Sequence, residues 1–441
     1  MRVINRDYTA LLAGQAVSQA GDFVFDTTLA LWVGTRLLEG RSYGPAAVAG
    51  LLGSVAAATL VVAPVAGVFV DRWDKRRTML AADAVRAVLI GLLAVLAFLP
   101  AGTLGTGPTV VVVYAVVFLA AGVAQFFNPA KFAVIAQVVD PADRTRAAAL
   151  GQSTQAIASI AGPPLAAPLL IGLGPGWALV INAGSFVVSY LLVRTVRPRP
   201  VAAPAGAGAG AGEGPGEGFL AELVSGLRVA FGSPTVRVLL VTLVLVALGV
   251  DALNSLNVFF VTENLHTDAR WLGTLEMATG LGLVAGVVVA TRLGGRIGHW
   301  RALWLSLLLI GAGLVGYSRL SSLGAALVLM FLLGVPVAVL NTAFSPVLLA
   351  AVPGSHLGRV VAVVNPVQHL ANLVGVTSAG WLASTVLRDF HTEVAGVQLG
   401  RIDTVLAGAG LLVVAGGVYA ALAGERTPVP AAAAVVVPAA D

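Results

Sequence analysis

Cysteine is absent from the 441 residues, which excludes a disulfide framework, a thiol nucleophile and any cysteine-based metal site. Charge is nearly as scarce. Asp, Glu, Lys and Arg make up 11% of the chain, against about 25% in a soluble domain, too little to solvate the surface of a water-soluble globule. That excludes a soluble enzyme or a nucleic-acid binder, although a net charge of +5 would otherwise raise the second. Lys75 and Lys131 are the only lysines. No Gly-Lys-Ser or Gly-Lys-Thr follows a glycine-rich run, so there is no phosphate loop and no sign of an ATP-driven pump. No His/Asp/Glu cluster has metal-ligand spacing, and no Ser-His-Asp arrangement is legible. The expectation is a protein without catalysis, cofactor or metal.

What the chain has in abundance is apolar length. Hydrophobic residues make up 58% of it and the mean hydropathy is +0.93. That share, about 256 residues, matches the roughly 240 that twelve spans of about 20 residues need. The runs are long and continuous, so they predict helices and not the short alternating strands of an outer-membrane barrel. Twelve helical spans are predicted at 9–36, 45–70, 78–99, 108–129, 146–171, 176–194, 235–262, 270–292, 300–318, 323–349, 358–386 and 402–423. Met1 to Asp7 is short and polar, and the apolar stretch after it is too long for a signal-peptide core. With an even span count, nineteen of the 26 Lys and Arg fall in loops on the side of the termini, Lys131 among them. Six fall on the other side, and Arg86 lies within a span. The bias predicts a multi-pass protein of the inner (plasma) membrane with both termini cytoplasmic.

The chain divides in the middle. Residues 1–196 and 235–424 form two six-span units. The linker 197–234 holds the low-complexity run from Pro204 to Gly212, then a stretch from Phe219 to Phe231 patterned as an amphipathic surface helix. Residues 425–441 read as a disordered tail. The halves repeat. At an offset of 213, Asn128 maps to Asn341, Arg146 to Arg359, Gln155 to Gln368, Ser159 to Asn372 and Gly162 to Gly375. At 229, Asp22 maps to Asp251. The predicted fold is therefore all-α and integral to the membrane, with twelve transmembrane helices in two pseudo-symmetric six-helix bundles, a plan common among secondary transporters.

At Gly67-Val-Phe-Val-Asp71-Arg72-Trp-Asp74-Lys75-Arg76-Arg77 the chain resembles the loop between helices 2 and 3 of the major facilitator superfamily. Gly21-Asp22, Asp83 with Arg86, Asn128-Pro129-Ala130, Gly162-Pro163 and Gly358-Arg359 extend the likeness to a drug-efflux branch that includes macrolide efflux permeases and enterobactin exporters. The resemblance implies outward transport of small molecules. It also implies a cytoplasmic gate built on Gly67, Asp71, Arg72, Arg76, Arg77 and Arg359, in which Asp71 caps a helix or pairs across the halves. One departure is that Phe118 to Asn128 holds no basic residue, where many drug antiporters carry an arginine.

Gln15, Ser18, Gln19, Asp22 and Asp26 share one face of the first span. Carboxylates inside a span are costly against lipid, so this face is expected to line a cavity, with Asp22 and Asp26 as carriers of a proton or recognisers of a cation. Asp251, with Asn254 and Ser255, is the corresponding patch of the seventh span. It reads equally as a proton-coupling group or as a hydrogen-bonded structural residue. Glu276 is read either as a cavity residue or as a solvated mouth position. Amides suit a broad range of substrates because they both donate and accept. Gln155 on the fifth span and Asn365, Gln368, His369 and Asn372 on the eleventh form matching polar stripes, joined by Gln125, Asn128 and Asn341. Asp83 and Arg86, one turn apart, are expected to pair locally. The functional expectation is a monomeric secondary transporter, embedded in lipid, that exports amphipathic small molecules in exchange for protons. A dedicated metabolite or siderophore exporter, a nutrient symporter and a lipid transporter are the alternatives.

Overall fold

The structure is a computed structural model, which describes residues 4–38, 41–100, 103–198, 232–352, 357–390, 392–394 and 397–424. The linker motifs at 204–212 and 219–231 and the tail fall outside the described residues. Twelve long helices run α1 Arg6–Leu31, α2 Gly44–Arg72, α3 Lys75–Phe98, α4 Thr106–Val138, α5 Arg144–Gly172, α6 Pro175–Thr195, α7 Pro234–Phe259, α8 Leu272–Ile297, α9 His299–Ser318, α10 Leu323–Ala351, α11 Leu357–Trp381 and α12 Arg401–Gly424. Their order matches the apolar runs. A two-stranded hairpin of Thr392–Val394 and Val397–Leu399 precedes α12.

Among the described residues, ten of the helices are long and apolar enough to cross a membrane. The two outside that set are α1 and α11, each of which carries a polar stripe. Apolar side chains face outward as well as inward: Val88, Leu92 and Val95 of α3 are each about 60% exposed. A surface of that kind is stable against hydrocarbon and costly in water.

Side chains set several of the helix starts. Asn5 accepts from the Tyr8 amide (2.8 Å), Asp74 from that of Arg77 (2.7 Å), and Ser322 caps α10. Prolines interrupt helices without ending them, at Pro64, Pro129, Pro163, Pro164, Pro168, Pro336, Pro346 and Pro366. Packed neighbours satisfy the backbone groups they free. Pro129 corrects one boundary. The predicted fourth span stops there, whereas α4 continues to Val138, so Lys131 belongs to the helix and not to a loop. The last turns of α1, α7 and α11 widen into π-helix at Trp32–Leu37, Phe260–Asn264 and Leu382–Val386.

Glycines fix the close approaches. A Cβ on Gly282 or Gly334 would collide with the carbonyl oxygen of Phe331 or Thr279, locking α8 to α10, and Gly311 meets the Gly410 carbonyl between α9 and α12. The repeat pair Gly162 and Gly375 does the same work twice. Gly162 of α5 sits against Ala20 and Phe23 of α1, and Gly375 of α11 against Ala247 and Asp251 of α7.

Contacts between helices α1–α6 and α7–α12 gather at the end away from the chain termini. There the Ala46 amide donates to Ser384 Oγ (2.9 Å), Gly380 lies against Pro45 and Ala46, and Gly273 lies against Pro163. Arg401 donates to Glu263 Oε1 (2.6 Å) and to the Ser42 carbonyl (3.4 Å). At the terminal end a separate apolar cluster, including Tyr8, Leu11, Val70, Met79, Phe127 and Val134, draws on the first six helices and their flanks. Arg401→Ala is expected to loosen the far end by about 1 kcal/mol, the scale of an exposed ion pair. The check is thiol labelling of a single cysteine placed at Thr27 or Ala46, which should react several-fold faster from that side.

Candidate functional site

A cavity of about 460 Å³ opens among α1, α3, α4 and α5, lined by residues that include Gln15, Gln19, Asp22, Asp26, Asn128 and Gln155. Helical periodicity brings the α1 residues to one wall. Phe23, Phe127 and Phe132 supply apolar surface, and Arg86 and Lys131 supply positive charge.

Asp22 does not stand alone. Arg86 Nη2 donates to both of its oxygens, at 2.9 and 3.1 Å, and the guanidinium lies 4.0 Å from the centroid of the Phe186 ring. This corrects the expected local pairing with Asp83. Arg86 reaches across to α1, while Asp83, fully buried, accepts from Ser189 Oγ of α6 (2.7 Å). Lys131 Nζ donates to Gln15 Oε1 (3.3 Å). Asp26 faces the cavity, and the charges of Asp22, Glu276 and Arg86 act on it. Glu276 is half-buried and accepts from Thr27 Oγ1 of α1 (2.8 Å), a bonded position across the two sets of helices and not an open mouth.

Of the sequence-predicted residues, the cavity gathers Gln19, Asp22, Asp26, Asn128 and Gln155. Gln125 turns to α2 and donates to Thr59 Oγ1 (3.2 Å). The second-half residues form their own group. Asn254 donates to Asp251 Oδ1 (3.5 Å), and Asn372, with its amide nitrogen toward α7, donates to Asp251 Oδ2 (3.2 Å) and to the Gln368 carbonyl (3.0 Å). His369 is half-buried, and Asn341, Asn365 and Gln368 are exposed. In the last turns of α2, Asp71 and Arg72 are exposed and Gly67 is half-buried. The cap on α3 is Asp74, and Arg76 donates to the carbonyls of Val193 and Arg194. Arg77 lines a separate groove with Arg72, Trp73 and Phe126. The side chain of Arg359 falls outside the described residues.

Sequence reasoning missed Arg86, Lys131 and Thr27 as site residues. The signal for Lys131 was its spacing: three residues after Asn128, it shares that residue's helical face once α4 continues. Arg86 and Lys131 supply the positive charge that the Phe118–Asn128 stretch lacks. The arrangement combines two carboxylates, two cations, amides and aromatic surface in one chamber. Carboxylates can exchange a proton there, and amides both donate and accept. Among the described residues no group of His, Asp and Glu is placed to hold a metal ion.

Comparison with known proteins gives the family. The multidrug efflux pump Tap of Mycolicibacterium fortuitum is 26% identical over 332 residues, 74% of this chain and 77% of Tap. The uncharacterized MFS-type transporter YkuC of Bacillus subtilis is 29% identical over 201 residues, so the chain matches only 44% of YkuC and 45% of itself. The crystal structure of the nucleoside transporter NupG superposes with a TM-score of 0.70 at 11% identity, covering 96% of this chain and 100% of that one. The family model of the Major Facilitator Superfamily matches residues 11–376 and 239–437. Twelve described helices, ten of them fit to span, thus have their explanation: the chain is a multi-pass membrane transport protein, not an enzyme, and belongs to the Major Facilitator Superfamily.

Proposed function

We propose that this protein exports amphipathic small molecules across the inner membrane by alternating access, in exchange for protons. The observation that carries the reading is the chamber itself. Asp22 and Asp26 stand in it beside Arg86 and Lys131, phenylalanines flank them, and among the described residues the contacts joining α1–α6 to α7–α12 gather at one end. In this reading α1–α6 and α7–α12 are two pseudo-symmetric halves, which the matched roles of Gly162 and Gly375 support. The terminal end, carrying most of the basic loop residues, faces the cytoplasm, and the state is open to that side. Asp22, Asp26 and Asp251 carry protons, and the amides of α4, α5, α10 and α11 meet the solute. Asp71 and Arg359 belong to the cytoplasmic gate, which closes in the other half of the cycle. Both halves reside in one chain, so a monomer in lipid suffices. Similarity to the multidrug efflux pump Tap supports the outward direction.

The test is accumulation of a fluorescent lipophilic cation in cells expressing the protein, with and without a protonophore. Expression is expected to lower accumulation several-fold, and the protonophore to erase the difference. Unchanged accumulation despite confirmed membrane expression overturns the reading and points to a dedicated metabolite as the solute.

A further inference from the structure

Behind the cavity wall lies a polar seam that the transport reading does not use. It is built by α3 and α6 against α1. Among its buried atoms without a partner are Asn182 Nδ2 of α6 and two on α3, the donor Arg86 Nε and the acceptor Asp83 Oδ1. The latter two belong to side chains one helical turn apart on α3, and side chains on a helix lean toward its N-terminus, so Arg86 is directed back over Asp83. Instead its guanidinium is extended to Asp22. A buried carboxylate oxygen and a buried guanidinium nitrogen left unpaired are each costly, and each is the complement of the other.

We propose that Arg86 has two seats, and that Asp83 is the second. While Asp22 is ionised and empty, Arg86 holds it, as seen here. When Asp22 receives a proton from the open side or a cationic solute, its hold on Arg86 weakens. Arg86 then folds back by about one turn, some 5 Å along α3, and pairs with Asp83, satisfying both orphaned atoms together. Asp83 is bonded to Ser189, and the α6 backbone at Ser189 lies against Gly14 of α1. The exchange therefore links the charge of the cavity to the packing of α3 and α6 behind it. The other charged groups facing this pair are Asp26 on α1 and Lys131 on α4, with Glu276 of α8 next to Asp26. Among the seam residues named, α6 contributes the neutral Asn182, Ser185, Phe186 and Ser189. Asp83 is a positioning residue in this scheme, acting through Arg86 without touching solute.

The proposal rests on the transport reading for its purpose but not for its first test, which is the stability of purified full-length protein in detergent. Asp22→Asn and Asp83→Asn are each expected to shift the apparent melting temperature only slightly, because Arg86 keeps one seat. The double variant removes both seats. Its melting temperature is expected to fall by roughly 5 °C or more beyond the sum of the single shifts, and adding Arg86→Met is expected to restore it. Additive shifts overturn the proposal. So does an Asp22→Asn protein that fails to fold alone and is rescued by Arg86→Met, since that shows Asp83 does not accept the arginine. The second test is functional. Asp83→Asn is expected to bind a fluorescent lipophilic cation with wild-type affinity yet export it about tenfold more slowly. Wild-type export by this variant shows that the exchange is not part of the cycle. If the wild-type protein exports no cation at all, the transport reading fails, while the stability cycle still decides the two seats.

Discussion

Asp26→Asn is expected to cut export of a lipophilic cation roughly 100-fold or more, the scale on which removal of a proton-transferring side chain acts, while folded protein accumulates to the wild-type level. The two halves of that expectation come from different features. Asp26 faces the cavity beside Asp22 and Glu276, so it is placed to exchange a proton or meet a cation. Its carboxylate is not in an ion pair among the described residues, so an amide of the same shape leaves no buried charge behind. Asp22→Asn also loses export, but less cleanly, because the substitution removes the bidentate partner of Arg86 as well as a carboxylate. Export measured beside detergent-solubilised yield separates the two effects. Full export by Asp26→Asn with normal yield removes Asp26 from the coupling set. Glu276→Gln is informative for the opposite reason: glutamine keeps an oxygen that can accept from Thr27, so it removes the charge at this contact between the two sets of helices without removing the bond.

The second large effect is on folding. Gly282→Ala is expected to destabilise the protein by about 3 kcal/mol, at the upper end of overpacking changes, and Gly282→Val to abolish accumulation of folded protein. A single Cβ at this position collides with the Phe331 carbonyl of α10, and a backbone oxygen has no rotamer in which to retreat. Two neighbours share the seam: Gly286 would bring a Cβ to 2.5 Å from the Val335 carbonyl, and Gly334 approaches α8 from the other side. Gly408→Ala on α12 is the control, because a Cβ there meets only open space, and it is expected to be neutral or slightly stabilising. Thermal stability of the purified variants reads the difference. A Gly282→Ala protein as stable as the control means that α8 and α10 can separate without cost.

Periodicity and composition carry most of the fold. Uninterrupted apolar runs can satisfy their backbones in lipid only as helices, so the number and order of the twelve helices follow from the chain itself. One pair at the repeat offset does matching packing work: Gly162 holds α5 to α1 and Gly375 holds α11 to α7. The cavity was legible in part. The stripe from Gln15 to Asp26 lies on one helical face, and a face that polar has only a protein-lined or wet place to go.

What escaped is what depends on contacts between helices. Arg86 has an acid one turn away on its own helix and another 64 residues away on α1. Local spacing favours the first, and only the packing of α3 on α1 makes the second available. The expected fourth span ends at Pro129, a residue that ends helices in water, which leaves Lys131 in a loop. In a packed bundle Pro129 does not end α4, and two residues later the chain is still helical. Glu276 has no local cue at all, since its partner Thr27 is 249 residues distant.

The glycine contacts have one more consequence. In α7–α12 several helix pairs meet main chain to main chain, at Gly282, Gly286, Gly311, Gly334 and Gly410. In α1–α6 several of the close approaches run through side chains, such as Gly21 on Ser185, Gly50 on Tyr114 and Gly176 on Phe98. Side chains can change rotamer; carbonyl oxygens fixed in a helix cannot. Where main chain meets main chain, the amides of α8, α9, α10 and α12 are expected to exchange with solvent more slowly than those of α1–α6.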